Sequence, residues 1–295
     1  MKLLVVSLAA TLVLATVVNA QLKEKADFKF DFGTGEAAEG WFALSAEHLY
    51  PTERGFGFER GAEISCFDRG GPDALRGDAC TSDRPFFFSV ALPEGNYSVT
   101  VVLGDAENES TTTVKAELRR LFVEQAQTRP GEFITRTFVV NIRTPKIRSY
   151  SEVKLKDREK TTEIWAWDGK LTLEFSGERP SIAALTITKV ENIPMVYLLG
   201  DSTVADQPLA PYSSWGQMLP RFFKPGIAVA NHAESGESLR SSLAARRLAK
   251  VLSLMKPGDY VFIQYGHNDE KEKGEGVGAF TTFKSDLKRF VIDAR

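Results

Sequence analysis

The hydrophobic pattern of this sequence changes its period once, at Glu191-Asn192-Ile193-Pro194, and that change constrains the fold more than any other feature. Before it, apolar and polar residues alternate, as in Phe28-Lys29-Phe30-Asp31-Phe32, and further strand-like runs lie at 86–92, 97–103, 133–142, 171–175 and 182–190. Turn signals such as Pro93-Glu94-Gly95-Asn96 and Trp167-Asp168-Gly169-Lys170 separate the runs, and helical periodicity is nearly absent. Residues 27–190 are therefore expected to form an antiparallel β-sandwich. After the change, a continuous apolar strand at 195–199 precedes a helix-like segment at 215–223 and a second strand at 227–230. One long helical face follows at 239–255, then a third strand at 260–264 and a third helical stripe at 280–294. Strand and helix alternate as in a parallel sheet, so the chain reads as multidomain, with a partial three-layer α/β/α domain over 195–295.

The first twenty residues stand apart from both halves. Lys2, an uncharged apolar stretch at 3–18 and the small-residue pattern Val18-Asn19-Ala20 read as a signal peptide over 1–20, with a signal anchor as the alternative. A secreted, extracellular protein is expected, with no membrane association after cleavage, because no other apolar segment is long enough to span a bilayer. Nucleic acid is not an expected partner: 37 Lys+Arg stand against 39 Asp+Glu, a formal charge of −2, without a dense basic stripe.

Export makes the two cysteines informative. Cys66 and Cys80 enclose a Gly- and Asp-rich loop with no histidine nearby to complete a metal site, so a loop-closing disulfide is the natural reading and two free thiols the alternative. Asn96-Tyr97-Ser98 and Asn108-Glu109-Ser110 match the glycosylation sequon. Trp41, Tyr50, Trp165 and Trp167 are candidates for an aromatic platform that stacks on a sugar ring. The acidic residues Asp68, Asp73 and Asp78 lack the order of a calcium loop, and no metal is expected.

In an open α/β sheet, ligands bind beyond the carboxyl ends of the strands. There the sequence reads Gly200-Asp201-Ser202-Thr203, Asn231-His232-Ala233-Glu234-Ser235-Gly236 and Gly266-His267-Asn268-Asp269. A serine at a tight turn, a glycine presenting its N–H and an asparagine amide are the parts that acyl transfer requires. Together with Gly216-Gln217-Met218-Leu219 and the run Gly258-Asp259-Tyr260-Val261-Phe262-Ile263-Gln264-Tyr265, these blocks resemble the SGNH (GDSL-like) hydrolase superfamily, most of all its rhamnogalacturonan acetylesterase branch. The resemblance implies a flavodoxin-like sheet and Ser202 as nucleophile. It also implies an oxyanion hole made by the Ser202 and Gly236 amides and the Asn268 side chain, with Asp201 shaping the turn and His267 supporting the third loop. Glu237 stands where this branch has an arginine. The first half is similar to the galactose-binding-like sandwich, through Asp31-Phe32-Gly33-Thr34-Gly35, Arg54-Gly55-Phe56-Gly57-Phe58 and Leu92-Pro93-Glu94-Gly95-Asn96-Tyr97. The implied reaction is removal of O-acetyl groups from an acetylated, pectin-like polysaccharide, with no metal or organic cofactor. A secreted glycan-binding fragment without catalysis, and an esterase acting on other acyl groups, are the alternatives.

A serine nucleophile needs a base, which this superfamily supplies from an Asp-x-x-His block near the end of the domain. The histidines are at 48, 232 and 267, and three residues before them stand Ser45, Val229 and Gln264. The general base is thus absent from the sequence. The expectation is that residues 1–295 are the N-terminal part of a longer esterase, nearly inactive alone.

Overall fold

Alternation in the first half produces two facing five-stranded sheets, as seen in the computed structural model, which describes residues 27–51, 53–148 and 151–295. The leader expected at 1–20 lies outside the described residues. One sheet runs, edge to edge, Phe133–Ile142, Gly95–Gly104, Ala184–Val190, Asp27–Phe32 and Phe42–Leu44. The other runs Phe56–Phe58, Phe86–Ala91, Lys170–Ser176, Ser110–Ala116 and Arg120–Thr128. Their inner faces bury a phenylalanine-rich core in which the Phe30 ring lies 4.9 Å from Phe56 and 5.1 Å from Phe88, both edge to face. Such edge contacts stabilise a core beyond the area they bury.

The sandwich is not wholly antiparallel. Asp27–Phe32 and Phe42–Leu44 pair in parallel, because the chain leaves the sheet after Phe32, crosses Asp78 and re-enters in the same direction. That crossing is tight: a Cβ on Gly33 would stand 2.3 Å from the Asp78 Cβ, so only glycine fits. A third sheet of Ser181–Ile182, Asp78–Thr81 and Ser65–Asp68 carries the disulfide, in which Cys66 and Cys80 face each other across two paired strands.

The second half forms a parallel three-stranded sheet in the order Ala228–Asn231, Met195–Gly200, Tyr260–Gln264. Tyr197 and Leu199 face a helical layer that includes Leu248, Val251 and Phe290, while Val196 and Leu198 face Val204, Ala205 and Val229. The third strand is an edge, with Tyr260 62% and Phe262 42% exposed.

The helical face expected at 239–255 is two helices, Leu239–Ala244 and Arg247–Leu254. Arg246 between them is left-handed, with φ 65°. The first helix ends because the Ala245 carbonyl accepts from the Lys154 N–H of the sandwich, and the buried Arg247 turns to bond the Glu159 carboxylate at 2.7 Å. The expected segment at 215–223 is likewise a single turn, Trp215–Met218, continued by a 3₁₀ turn. The final helix, Lys284–Ala294, is entered through a π turn at Ala279–Phe283.

The two halves share a buried polar seam. Arg120, with no exposed surface, donates to the Asn141 carbonyl at 3.0 Å and the Val229 carbonyl at 3.3 Å, and lies 3.5 Å from Asp206 and 3.7 Å from Glu117. Trp167 is 5% exposed, donates to Glu159 and lies under the Arg143 guanidinium, so it belongs to this seam rather than to a sugar platform. Tyr50, Trp41 and Trp165 are half-buried. Asn96 also faces the seam, where its amide contacts Asn141 and Met195, and a glycan there would break both contacts. The half-buried Asn108 amide donates to Asp105 within its own loop.

Burial pushes Glu117 up to about 8 from its ordinary 4.5 in spite of Arg120. The folded protein then keeps a proton that the unfolded chain releases near 4.5, so stability falls as pH rises towards 8. The buried His232, held well below 6.5, acts in the opposite sense only at pH below 6.5. Between pH 6.5 and 8 the free energy of unfolding, and with it the thermal midpoint, should therefore fall steadily, Glu117 alone contributing a slope approaching about 1.4 kcal/mol per pH unit. Glu117→Gln, which keeps the acceptor for Thr172 N–H, should flatten that slope; a flat wild-type profile would contradict the shift.

Candidate active site

The first loop begins where the strand Met195–Gly200 ends. A Cβ on Gly200 would stand 2.5 Å from the Val204 side chain and 2.7 Å from the Gln264 carbonyl, so the chain turns there only as glycine. The buried Asp201 carboxylate then accepts from the Thr203 N–H and Oγ1, both at 2.9 Å, and the Asp201 carbonyl accepts from Val204 and Ala205 N–H. This turn leaves Ser202 half-buried at its apex.

The second loop follows Ala228–Asn231 and is stitched to the first. Glu234 N–H donates to the Gly200 carbonyl at 3.0 Å, and the Asn231 amide donates to the Val204 carbonyl at 2.6 Å and to Asp206 at 2.8 Å. Gln207 bridges the two directly: its amide donates to the Ser202 carbonyl at 2.9 Å and to Ser235 Oγ at 3.1 Å. Gly216 lies under the same junction, since a Cβ there would meet the Val204 carbonyl at 2.2 Å. Gly236 has φ +77°, a conformation that glycine adopts without strain.

The third loop docks on the second. Asn268 donates its amide to the Glu237 carbonyl at 3.0 Å, Asp269 accepts from Leu239 N–H at 3.0 Å, and Glu272 accepts from Ser238 Oγ at 2.5 Å. The loops that carry Ser202, Gly236 and Asn268 thus lie together at the carboxyl edge of the sheet. His267, the residue expected to support the third loop, is an exception. Its ring is 62% exposed and lies 3.5 Å from Glu270 of its own loop, so Asp269 and Glu272 do the bracing instead. Among the described residues, no hydrogen bond joins a histidine to Ser202. His232 is buried against Trp167 and Tyr197 with neither ring nitrogen hydrogen-bonded, and burial keeps it neutral.

Sequence reasoning missed the charged residues that reach this site from the sandwich. Lys156 Nζ donates to the Ser235 carbonyl at 2.7 Å and lies 3.3 Å from Glu237, while Arg158 donates to the same carbonyl and to Glu234. Glu237 is 2% exposed, 3.6 Å from Arg247 and accepting from Ser241 Oγ at 2.5 Å. A carboxylate at this position fits because Lys156 of the sandwich and Arg247 of the second half stand on either side of it. Burial and the neighbouring Glu159 push Glu234 up to about 7. A cavity of about 1030 Å³ lies apart from the three loops, lined by residues 145–147 and 151–155 with Lys160 and Arg246. Among the described residues, no group of His, Cys, Asp or Glu is arranged to hold a metal ion.

Residues 28–123 match the family of β-agarase/YXIM esterase-like, galactose-binding-like domains. The chain is 27% identical over 288 residues to the uncharacterized esterase YxiM of Bacillus subtilis, covering 93% of this chain and 68% of that one. It is 41% identical over 102 residues to the rhamnogalacturonan acetylesterase RhgT of the same organism, covering 34% of this chain and 43% of the relative. A rhamnogalacturonan acetylesterase of Emericella nidulans is 34% identical over 74 residues, covering 25% of this chain and 28% of the relative. The chain therefore spans less than half the length of the acetylesterases it matches. The crystal structure of YxiM superposes with a TM-score of 0.40 at 24% identity, covering 91% of this chain and 71% of that one. The chain resembles rhamnogalacturonan acetylesterase-like esterases that carry an N-terminal galactose-binding-like domain.

Proposed function

We propose that the three loops form the acyl-transfer centre of a secreted carbohydrate esterase of the SGNH type, which removes O-acetyl groups from a rhamnogalacturonan-like pectic polysaccharide. One observation carries the reading: hydrogen bonds from Gln207 and Asn268 join the turn holding Ser202, the loop holding Gly236 and the loop holding Asn268 into one unit beyond the strand ends. The similarity to esterases and rhamnogalacturonan acetylesterases supports the reaction class and the substrate.

In this reading Ser202 Oγ attacks the acetyl carbonyl, and the sugar oxygen departs with a proton to leave an acetyl-enzyme that water then hydrolyses. The Ser202 and Gly236 N–H groups and the Asn268 amide stabilise the tetrahedral oxyanion. Asn268 has a second N–H to offer, since one bond to Glu237 uses only one of its two donors. A base must accept the Ser202 proton. His48 is bonded to Ser45 in the sandwich, His232 is sealed in the seam and His267 faces solvent, so the base is assigned to an Asp-x-x-His block outside residues 1–295.

Full-length protein assayed on chromogenic esters of increasing acyl length tests the specificity. Acetyl should be preferred over butyryl by about tenfold or more, since misfit of even one methylene is worth about 1–3 kcal/mol, and acetate should appear from acetylated rhamnogalacturonan. Preference for long acyl chains would replace this reading with a lipid-type esterase. Binding to the polysaccharide without acetate release would leave only glycan binding.

A further inference from the structure

We infer that Lys156 and Arg158 of the β-sandwich are positioning residues for the oxyanion hole, acting through the single peptide unit that joins Ser235 to Gly236. The inference rests on the esterase reading above. Both side chains donate to the Ser235 carbonyl, Lys156 at 2.7 Å. In a trans peptide the C=O and the following N–H point in opposite directions. Drawing the Ser235 oxygen towards the sandwich therefore turns the Gly236 N–H away from it.

Charge adds to direction. Hydrogen bonds from an ammonium and a guanidinium are charge-assisted and stronger than neutral ones, and a donor on one end of a peptide polarises the other. The Gly236 N–H becomes a better donor to a developing negative charge.

Both cations are themselves held. Lys156 precedes and Arg158 lies within the 3₁₀ turn Asp157–Lys160, whose buried Glu159 accepts from Lys156 N–H at 2.8 Å, from Trp167 Nε1 at 3.0 Å and from Arg247 at 2.7 Å. Arg158 is also 3.4 Å from Glu163. The sandwich thereby does for the oxyanion loop what the sheet does for Ser202: it fixes the direction of a donor before substrate arrives, which is where electrostatic preorganisation acts.

The test uses full-length protein with Lys156→Gln, Arg158→Gln and the double substitution, measuring kcat and KM on an aryl acetate and the ¹⁵N–¹H resonance of Gly236. Removing one oxyanion donor outright costs about 10²–10³-fold in kcat, so misdirecting one is expected to cost the double variant about 10–100-fold with KM nearly unchanged. The Gly236 amide proton should move upfield, and Lys156→Arg should restore most of the rate. A folded double variant with wild-type kcat and an unmoved Gly236 resonance overturns the inference. If the double variant does not fold, Lys156→Gln alone decides by the same two readouts. The two readings fail separately: undiminished hydrolysis by Ser202→Ala would remove the esterase assignment, while the Gly236 resonance would still report whether the cations set that peptide.

Discussion

Replacing Ser202 by alanine is expected to lower kcat of the full-length protein on acetyl esters by about 10⁴–10⁶-fold, the size of effect seen when a hydroxyl nucleophile is removed. The loss should fall on chemistry and not on folding. Asp201 closes the turn through the Thr203 N–H and Oγ1, and Gln207 binds the Ser202 carbonyl, so none of these bonds uses the serine side chain. The Ser202 N–H also survives the change, leaving the oxyanion donors to provide residual catalysis. Steady-state kinetics with an aryl acetate, alongside a thermal melt, measures both. Turnover within tenfold of wild type would remove Ser202 from the mechanism, and a large drop in the melt would mean that the turn had been misread.

Arg120→Ala is expected to be the most damaging single change to stability, at about 3–5 kcal/mol, the usual cost of removing one partner from a buried ionic cluster. The guanidinium has no exposed surface and serves acceptors in both halves of the molecule, the Asn141 and Val229 carbonyls together with Asp206 and Glu117. Without it, Asp206 keeps only Arg143 at 3.7 Å and the Asn231 amide at 2.8 Å. Asn231 also holds the loop of Ser202 through the Val204 carbonyl, so in the esterase reading activity should fall at temperatures below the unfolding transition. Denaturant titration gives the number, and a loss under about 1 kcal/mol would show that the cluster is energetically idle. Arg120→Ala combined with Asp206→Asn should cost less than the sum of the two single changes, because contacting charges couple.

What was legible in the sequence followed burial. Runs with one apolar face, such as Phe28 to Phe32, or two, such as Met195 to Leu199, announce strands because core packing demands that pattern. Ser110–Ala116 and Arg120–Thr128 escaped notice: threonines carry the alternation in the first, and the second begins at an arginine that is buried by pairing rather than by being apolar. The helix break at Arg246 was hidden for a similar reason, since the helical stripe continues past it and the interruption comes from Lys154, far away in sequence. At the site, the loop residues could be read because they are local motifs at strand ends. Lys156, Arg158 and Gln207 could not, for nothing in their own neighbourhoods marks them; the packing of one half on the other gives the two cations their partners, and the meeting of two loops of the second half gives Gln207 its own.

The polar seam also sets an order of events during synthesis. Arg120 leaves the ribosome with Glu117 and the Asn141 carbonyl close behind or before it, but the Val229 carbonyl follows 109 residues later. At roughly 5–20 residues per second that is a wait of about 5–20 s, long compared with the folding of a small domain. The sandwich is complete only once its central strands Lys170–Ser176 and Ala184–Val190 have emerged, so late in that interval, while residues 191–206 are made, it presents Arg120 and Arg143 without the carboxylate of Asp206. Its strands can pair, but the face destined for the seam stays charged and hydrated until the first strand and loop of the parallel sheet emerge to cover it.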